Sequence, residues 1–220
     1  ASTIIVGNEI LLPSDRSGFT KLYVYNMNGQ LLRTIGGDYD ITSVYGCDAR
    51  TGDIFFQAAA LGATDRQIYV AHRNGKIQRL SDKEGWNTAL FSADYQYFVN
   101  TWSDYNTPYV VTTRTRDGKV VSTLQDNAEL KTLISQYGFC KRESFTFKTS
   151  EGVELNGWML RPANFDASHK YPVIMHQYSG PGSQMVINAW HAGSMGNGGA
   201  FDSYLAQHGF IVVCVDGRGT

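Results

Sequence analysis

The sequence has few cysteines, few prolines and no long apolar run, and each shortage excludes a class of protein. Its 220 residues include three cysteines and five prolines. Cys47, Cys140 and Cys214 are far apart and form no CxxC pair, so they indicate neither a zinc site nor a disulfide framework. No stretch approaches the roughly 20 apolar residues of a membrane span. We therefore expect no metal, no cofactor and no membrane segment in this chain.

The sequence also has no excess of positive or negative charge. Nineteen basic and twenty acidic residues give a formal net charge of -1. Without a basic run or patch, nothing favours nucleic acid or an anionic membrane as a partner. Residues 1–10 lack the charged and apolar regions of a signal peptide, so we expect any export signal to lie outside this chain.

The first 125 residues contain a repeat. Three segments, LYVYNMNGQLLRTI, IYVAHRNGKIQRL and YVVTTRTRDGKVVSTL, each place Asn-Gly or Asp-Gly between two β-rich runs, which is the strongest short-range signal of a hairpin. Their turn glycines, Gly29, Gly75 and Gly118, are 46 and 43 residues apart. This period fits one four-stranded propeller blade.

Further β-rich runs fill the gaps between these hairpins, at residues 43–47, 54–58, 86–91 and 97–102. Together they amount to roughly three blades, whereas a closed propeller has about four to eight. We therefore predict a partial β-propeller over residues 1–125, cut at its amino-terminal side.

Residues 126–138 change to a helical period. Leu130, Leu133, Ile134 and Tyr137 recur on one face, and Asp126 with Glu129 resembles a capping box. Gly138 is a stop signal. The spacing predicts a linker helix, packed between domains, within residues 126–140.

Residues 141–220 predict a different architecture. The pattern indicates an antiparallel hairpin (143–148 and 153–161), a buried strand that ends near Tyr178, a helix (201–207) and an apolar strand (210–215). A strand, a crossover helix and a second strand form a βαβ unit with a parallel pair. The predicted fold class is therefore β plus α/β.

Tyr178 is the main candidate for chemistry. The carboxyl ends of parallel strands are where ligands meet α/β proteins, and a phenol there could donate a hydrogen bond to a developing oxyanion. From spacing alone, an aromatic ring that closes the top of the sheet is the more common arrangement.

Three stretches carry a family resemblance: ILLPSDRSGFTKLYVYN (10–26), HKYPVIMHQYSGPGSQ (169–184) and FIVVCVDGRGT (210–220). In content and order they resemble the prolyl oligopeptidase superfamily (serine peptidase family S9), most closely its dipeptidyl peptidase IV branch. The resemblance implies an internal fragment: the last propeller blades, a linker helix, and the amino-terminal part of an α/β-hydrolase catalytic domain over residues 141–220.

The resemblance also implies an activity. In this family the tyrosine of a YxGP motif, which Tyr178 matches in Tyr178-Ser-Gly-Pro181, donates its hydroxyl to the oxyanion hole, and the backbone N–H after the nucleophile is the second donor. The parent would release dipeptides from peptides with proline or alanine at the second position, through an acyl-enzyme. The family further implies a homodimeric parent and favours a periplasmic or secreted location.

No serine nucleophile is evident in this chain. The nearest imitation of GxSxG is Ala192-Gly-Ser194-Met-Gly196, which lacks the flanking strand and helix that an elbow needs. We therefore reject Ser194 and expect the triad to lie beyond Thr220, so that this chain alone is inactive. The acidic pair that anchors the substrate amine in the dipeptidyl branch would lie before Ala1.

Other polar residues are weaker candidates. The histidines show no metal-ligand spacing, although His176 could line a pocket beside Tyr178, and Arg218 is more typical of a loop arginine paired with a carboxylate. Two alternatives stay open: another member of the superfamily (a tripeptidyl, acylaminoacyl or oligopeptidase form), and a catalytically dead propeller protein that binds peptides. An uncovered flank of the strand 210–215 further predicts self-association.

Overall fold

The computed structural model describes residues 3–195 and 199–220, which form two compact units. The first unit contains the residues up to Trp102 together with Val110–Asp126. The second contains Ser103–Tyr109 and Asn127–Thr220.

Three four-stranded sheets form the first unit, and in each sheet neighbours in sequence are neighbours in space. The first sheet is β1 (Ile4–Val6), β2 (Glu9–Ser14), β3 (Lys21–Asn26) and β4 (Leu31–Ile35). The second is β5 (Ile41–Asp48), β6 (Asp53–Ala58), β7 (Gln67–Ala71) and β8 (Ile77–Arg79). The third is β9 (Trp86–Phe91), β10 (Tyr97–Ser103), β11 (Val110–Thr115) and β12 (Val120–Gln125).

The predicted hairpins are confirmed. Gly29, Gly75 and Gly118 adopt φ angles of 77°, 89° and 91°, a region that glycine enters without steric cost and that tight hairpin turns require. Each lies between two paired antiparallel strands. The three sheets are consistent with propeller blades, and the hairpin of β1 and β2 adds a pair of strands that the repeat did not predict.

The second sheet is buried on both faces. Successive side chains of a strand point to opposite faces, and β6 is apolar at consecutive positions. Ile54 and Phe56 belong to the core shared with the first sheet, whereas Phe55 belongs to the core shared with the third sheet. The sequence of β6 therefore lets one strand join two hydrophobic cores.

The second unit contains one mixed sheet and two helices. The strands are β13 (Arg142–Lys148), β14 (Glu154–Leu160), β15 (Val173–His176) and β16 (Ile211–Val215), in the order β13-β14-β16-β15. The helices are α1 (Ala128–Gln136) and α2 (Ala200–Gln207). A core forms between β14, β16 and α2, from Trp158, Leu160, Val186, Ala206, Val212 and Cys214.

The predicted parallel pair is confirmed, because β15 and β16 pair in parallel register from Val173↔Ile211 to His176↔Cys214. Two expectations about these strands are wrong. The predicted buried strand is an edge strand whose Val173 and Met175 are 58% and 59% exposed. The strand expected to expose its flank, β16, instead lies between β14 and β15, and strand pairing of this kind cannot be read from local periodicity.

The predicted helix is confirmed, but its capping box is not. The residue that caps α1 is Asn127, in a left-handed conformation, and its side chain makes no capping bond. It donates instead to the carbonyl oxygen of Tyr109. At the other end Gly138, with φ +64°, follows the last turn and ends the helix as predicted.

The described residues are mostly β, and the sheet of the second unit with its two short helices does not by itself identify an α/β-hydrolase fold. Of the three free cysteines, Cys214 is buried and Cys47 and Cys140 are half-buried. Over the described ranges, no helix is long and apolar enough to cross a membrane.

Candidate functional site

Tyr178 lies just beyond the carboxyl end of β15. The strand ends at His176, so Tyr178 belongs to the loop that follows, and its side chain is 66% exposed. The phenol is therefore open to solvent and is not sealed in a core. Within residues 3–195 and 199–220, no group hydrogen-bonds its hydroxyl.

The small residues after Tyr178 let its ring fold back over the chain. A Cβ at Gly180 would clash with the ring of Tyr178, so a side chain at position 180 would force that ring to move. Ser179 adopts a φ of 51°, which is uncommon for a residue with a Cβ. The Gln177 amide donates to the Ser179 hydroxyl at 2.5 Å. The Ser-Gly sequence thus sets how the phenol is presented.

The loop after β16 meets the Tyr178 loop, as the parallel pairing requires. Gly182 donates its backbone N–H to the carbonyl of Gly219 at 3.2 Å. A Cβ at Gly217 would stand 3.0 Å from the hydroxyl oxygen of Ser179. The carboxyl ends of β15 and β16 therefore form one surface, on which Tyr178 is exposed.

Asp216 joins these two loops most strongly. Its two carboxylate oxygens accept the backbone N–H groups of Met185 and Val186, each at 2.9 Å. Charge-assisted bonds of this kind are roughly twice as strong as neutral ones. The sequence showed Asp216 only as the first residue of the loop 216–219, and no local pattern indicated that it would bind a segment 30 residues earlier.

The two weaker candidates, Arg218 and His176, make few contacts that would point to a catalytic role. The Arg218 guanidinium lies 3.7 Å from the carboxylate of Glu151, and both side chains are largely exposed, so this pair matches the predicted loop arginine and contributes little. His176 is half-buried on β15. We expected His176 to line a pocket beside Tyr178 because alternate residues of a strand point to one face, but β15 ends at His176 and Tyr178 lies in the loop after it.

Ser194 is part of a buried structural network. The Arg142 guanidinium donates to the Ser194 hydroxyl and the Ala192 carbonyl and to the carboxylate of Asp202 at 3.2 Å. Ser194 in turn donates to the carbonyl of His191 at 2.7 Å. In this geometry the Ser194 hydroxyl is engaged in structural hydrogen bonds. Gly196, the last residue of the sequence that imitates an elbow, lies outside the described residues.

Burial governs the titration of this network. Desolvation, and then the nearby Arg142 charge, lowers the pKa of His191 to about 4, so His191 is neutral at pH 7. Desolvation also raises the pKa of Asp202 above its usual value. The ring of His191 is not placed as a general base for Ser194, because the hydroxyl meets the backbone carbonyl of His191 and not its ring.

A cavity of about 290 Å³ also lies in the second unit. Aromatic and cationic side chains line it, among them Phe139, Trp190, Lys131 and Arg142. Tyr178 is not one of its lining residues, so this cavity and the exposed phenol are separate features. In the described part of the chain, no group of three or more His, Cys, Asp and Glu side chains could hold a metal ion.

Comparisons with known proteins agree with the resemblance seen in the sequence. The family described as the dipeptidyl peptidase IV (DPP IV) N-terminal region matches residues 3–109. A dipeptidyl peptidase 4 of Trichophyton rubrum is 30% identical over 215 residues, which is 94% of this chain and 27% of that protein. The chain thus spans little more than a quarter of the length of the curated relatives it matches.

Solved structures give a similar result. The crystal structure of Porphyromonas gingivalis dipeptidyl peptidase 4 is 37% identical with a TM-score of 0.91, over 99% of this chain and 30% of that chain. A putative dipeptidyl aminopeptidase IV from Bacteroides ovatus, 23% identical with a TM-score of 0.83 over 98% of this chain and 33% of that one, shares the fold. All three comparisons thus match this chain to part of proteins described as dipeptidyl peptidase IV or as a putative dipeptidyl aminopeptidase IV.

Proposed function

We propose that this chain is part of a serine exopeptidase resembling dipeptidyl peptidase IV, and that the Tyr178 hydroxyl is one donor of its oxyanion hole. In this proposal residues 1–125 are the last blades of a propeller, residues 126–140 a linker helix, and residues 141–220 the amino-terminal part of an α/β-hydrolase domain. The single observation that carries the proposal is an exposed phenol at the carboxyl end of a strand with a parallel neighbour.

The chemistry asks for a hydrogen-bond donor at this place. When a serine attacks a peptide carbonyl, the carbonyl oxygen becomes an oxyanion, and a preorganised donor stabilises that charge by about 2.7–4 kcal/mol. The intermediate then expels the amine and leaves an acyl-enzyme, which water hydrolyses. A phenol can donate to the oxyanion without giving up its proton, because its ordinary pKa of about 10 lies well above neutral pH.

The remaining catalytic parts are proposed to lie outside this chain. Ser194 is held by Arg142 and by the carbonyl of His191, which supports the view that it is not a nucleophile. The serine, aspartate and histidine of the triad would follow Thr220, and the chain alone would be inactive. A homodimeric, periplasmic or secreted parent is part of the same proposal.

The test is to assay the full-length parent polypeptide with Ala-Pro and Gly-Pro anilides. Tyr178→Phe removes the donor and keeps the ring, so we expect kcat to fall by about 10²- to 10³-fold with little change in KM. The matched control is Tyr137→Phe, which removes an exposed phenol after α1. An unchanged rate in Tyr178→Phe would remove Tyr178 from catalysis.

Two other functions predict different results with a labelled peptide substrate. A tripeptidyl, acylaminoacyl or oligopeptidase parent would cut a labelled proline-containing peptide into products of other lengths. A parent that is catalytically dead would bind peptides and release nothing, and its coding sequence beyond Thr220 would lack GxSxG followed by Asp and His. Only dipeptide release supports the leading proposal.

A further inference from the structure

We propose that Asp216 is a positioning residue for Tyr178. The inference rests on the proposed function, because it explains how the oxyanion donor is kept in place. Asp216 does not reach the reacting atoms; it holds the segment that carries the phenol.

Asp216 is itself firmly held. It is 7% exposed and directly follows the last residue of β16. Its backbone N–H donates to the carbonyl of Asn156 at 3.1 Å, which fixes it beside β14. Both carboxylate oxygens are then used by Met185 and Val186, each at 2.9 Å, so the carboxylate has a rigid support and two defined partners.

The Tyr178 loop depends on that support. The segment between His176 and Met185 has no strand or helix of its own, so its position is set where it is anchored. Three anchors hold it: β15 before it, the bond of Gly182 to the carbonyl of Gly219 within it, and at its end the bonds of Asp216 to Met185 and Val186. Val186 is fully buried in the core, which ties this last anchor to the sheet. A shift of Met185 and Val186 therefore moves the loop that presents the phenol.

The chemical identity of Asp216 matters as much as its size. Two N–H donors converge on its two oxygens, and only a carboxylate offers an acceptor to each without rearrangement. In Asp216→Asn one oxygen becomes an NH₂ group, which faces an N–H group as donor to donor. The variant keeps the shape of the side chain and breaks the anchor.

The experiment measures kcat and KM of the full-length parent with Gly-Pro anilide, for Asp216→Asn, Tyr178→Phe and the double variant. Because a small misplacement of a catalytic group is costly, Asp216→Asn should lower kcat on the order of 10- to 100-fold and leave KM within about 2-fold. In the Tyr178→Phe background the same change should cost about 2-fold or less, because its effect passes through the phenol.

A control and a second variant separate positioning from folding. Asp202 is a buried carboxylate that also accepts a backbone N–H, that of Met195 at 3.1 Å, but it anchors a different segment. Asp202→Asn should lower Tm and keep kcat per folded molecule. Gly217→Ala leaves the carboxylate intact and places a Cβ 3.0 Å from the Ser179 hydroxyl oxygen. If Asp216→Asn does not fold, Gly217→Ala is measured in its place, and we expect it to lower kcat.

The outcomes are distinguishable. Loss of kcat in Asp216→Asn that disappears in the Tyr178→Phe background supports the inference. Equal loss in both backgrounds, or full activity in folded Asp216→Asn while Tyr178→Phe is impaired, overturns the inference and leaves the proposed function in place. Where Asp216→Asn does not fold, full activity in Gly217→Ala does the same. Full activity in Tyr178→Phe overturns the proposed function and the inference with it.

Discussion

Asp48 shows how a single side chain can link two sheets of the first unit. It ends β5, is 3% exposed, and accepts hydrogen bonds from Arg50 at 3.2 Å and Arg116 at 2.9 Å. Arg116 follows β11 and also reaches the carboxylate of Asp53 at 2.7 Å. Because Asp48 and Asp53 belong to the second sheet and Arg116 to the hairpin of the third, these bonds join neighbouring sheets.

This link predicts a pH dependence of stability. Hydrogen bonds from Arg50, against some desolvation and with help from Arg116, lower the pKa of Asp48 from 3.8 to about 2. A folded-state pKa below the unfolded value stabilises the fold above about pH 4, and this contribution disappears as the pH falls from about 4 to 2. Between pH 6 and pH 2, the wild type should lose roughly 1–2 kcal/mol more unfolding free energy than Asp48→Asn.

Denaturant unfolding at several pH values measures this difference. The control is Asp38→Asn, which changes an almost fully exposed carboxylate and should follow the wild type. Parallel pH profiles for the wild type and Asp48→Asn would contradict the assigned role of the Arg50 and Arg116 bonds.

At the scale of single residues, the sequence identified a candidate residue but not the contacts and exposure of its side chain. Tyr178 could be singled out because an apolar run followed by Ser-Gly-Pro-Gly marks a strand end by local pattern alone. The exposure of its ring and the bonds of Asp216 and Arg142 depend on segments far apart in the chain, and no local pattern encodes such contacts. The catalytic role of Tyr178 stays a prediction.

The edge strand β15 exposes backbone groups and apolar side chains that favour pairing with another chain. β15 pairs with β16 on one side, and no other described strand pairs with it. Its Val173 and Met175 side chains lie exposed, so the strand offers both free backbone groups and apolar surface. An edge of this kind is a template for pairing with another chain.

We therefore expect the 220-residue chain to self-associate through β15, and a charge on this strand to oppose it. Val173→Lys should shift the chain towards monomer in sedimentation velocity. Tyr137→Lys places the same charge on an exposed position after α1 and should leave association unchanged. A wild-type chain that sediments as one monomeric species at all concentrations would contradict this expectation.

Element boundaries were largely predictable, because glycine turns and alternating side chains are local signals. The β9 strand coincides with its predicted range, Trp86–Phe91, and the predicted helices near 126–138 and 201–207 are present. The order β13-β14-β16-β15 was not predictable from period alone. Periodicity assigns a face to each side chain, but it does not say which strand lies beside which, and this is why β15 was wrongly predicted to be buried.

At the scale of the whole molecule, the two units differ in architecture and in the candidate chemistry that they present. The first unit consists of blade-like sheets held by the double-sided core of β6. The second unit presents Tyr178 on an open surface at the ends of two parallel strands. In the proposed parent, the second unit would contribute one oxyanion donor and its support, and the bond-making groups would come from elsewhere.

The binding of an inhibitor that forms a tetrahedral adduct tests the role of Tyr178 most directly, because the oxygen of the adduct occupies the oxyanion position. The inhibition constant of a dipeptidyl trifluoromethyl ketone is measured for the full-length parent and for Tyr178→Phe, beside the KM of Gly-Pro anilide. We predict that Tyr178→Phe raises the inhibition constant by about 10²- to 10³-fold with KM within about 3-fold. Equal inhibition constants for the two enzymes would contradict the assignment of Tyr178 as the oxyanion donor.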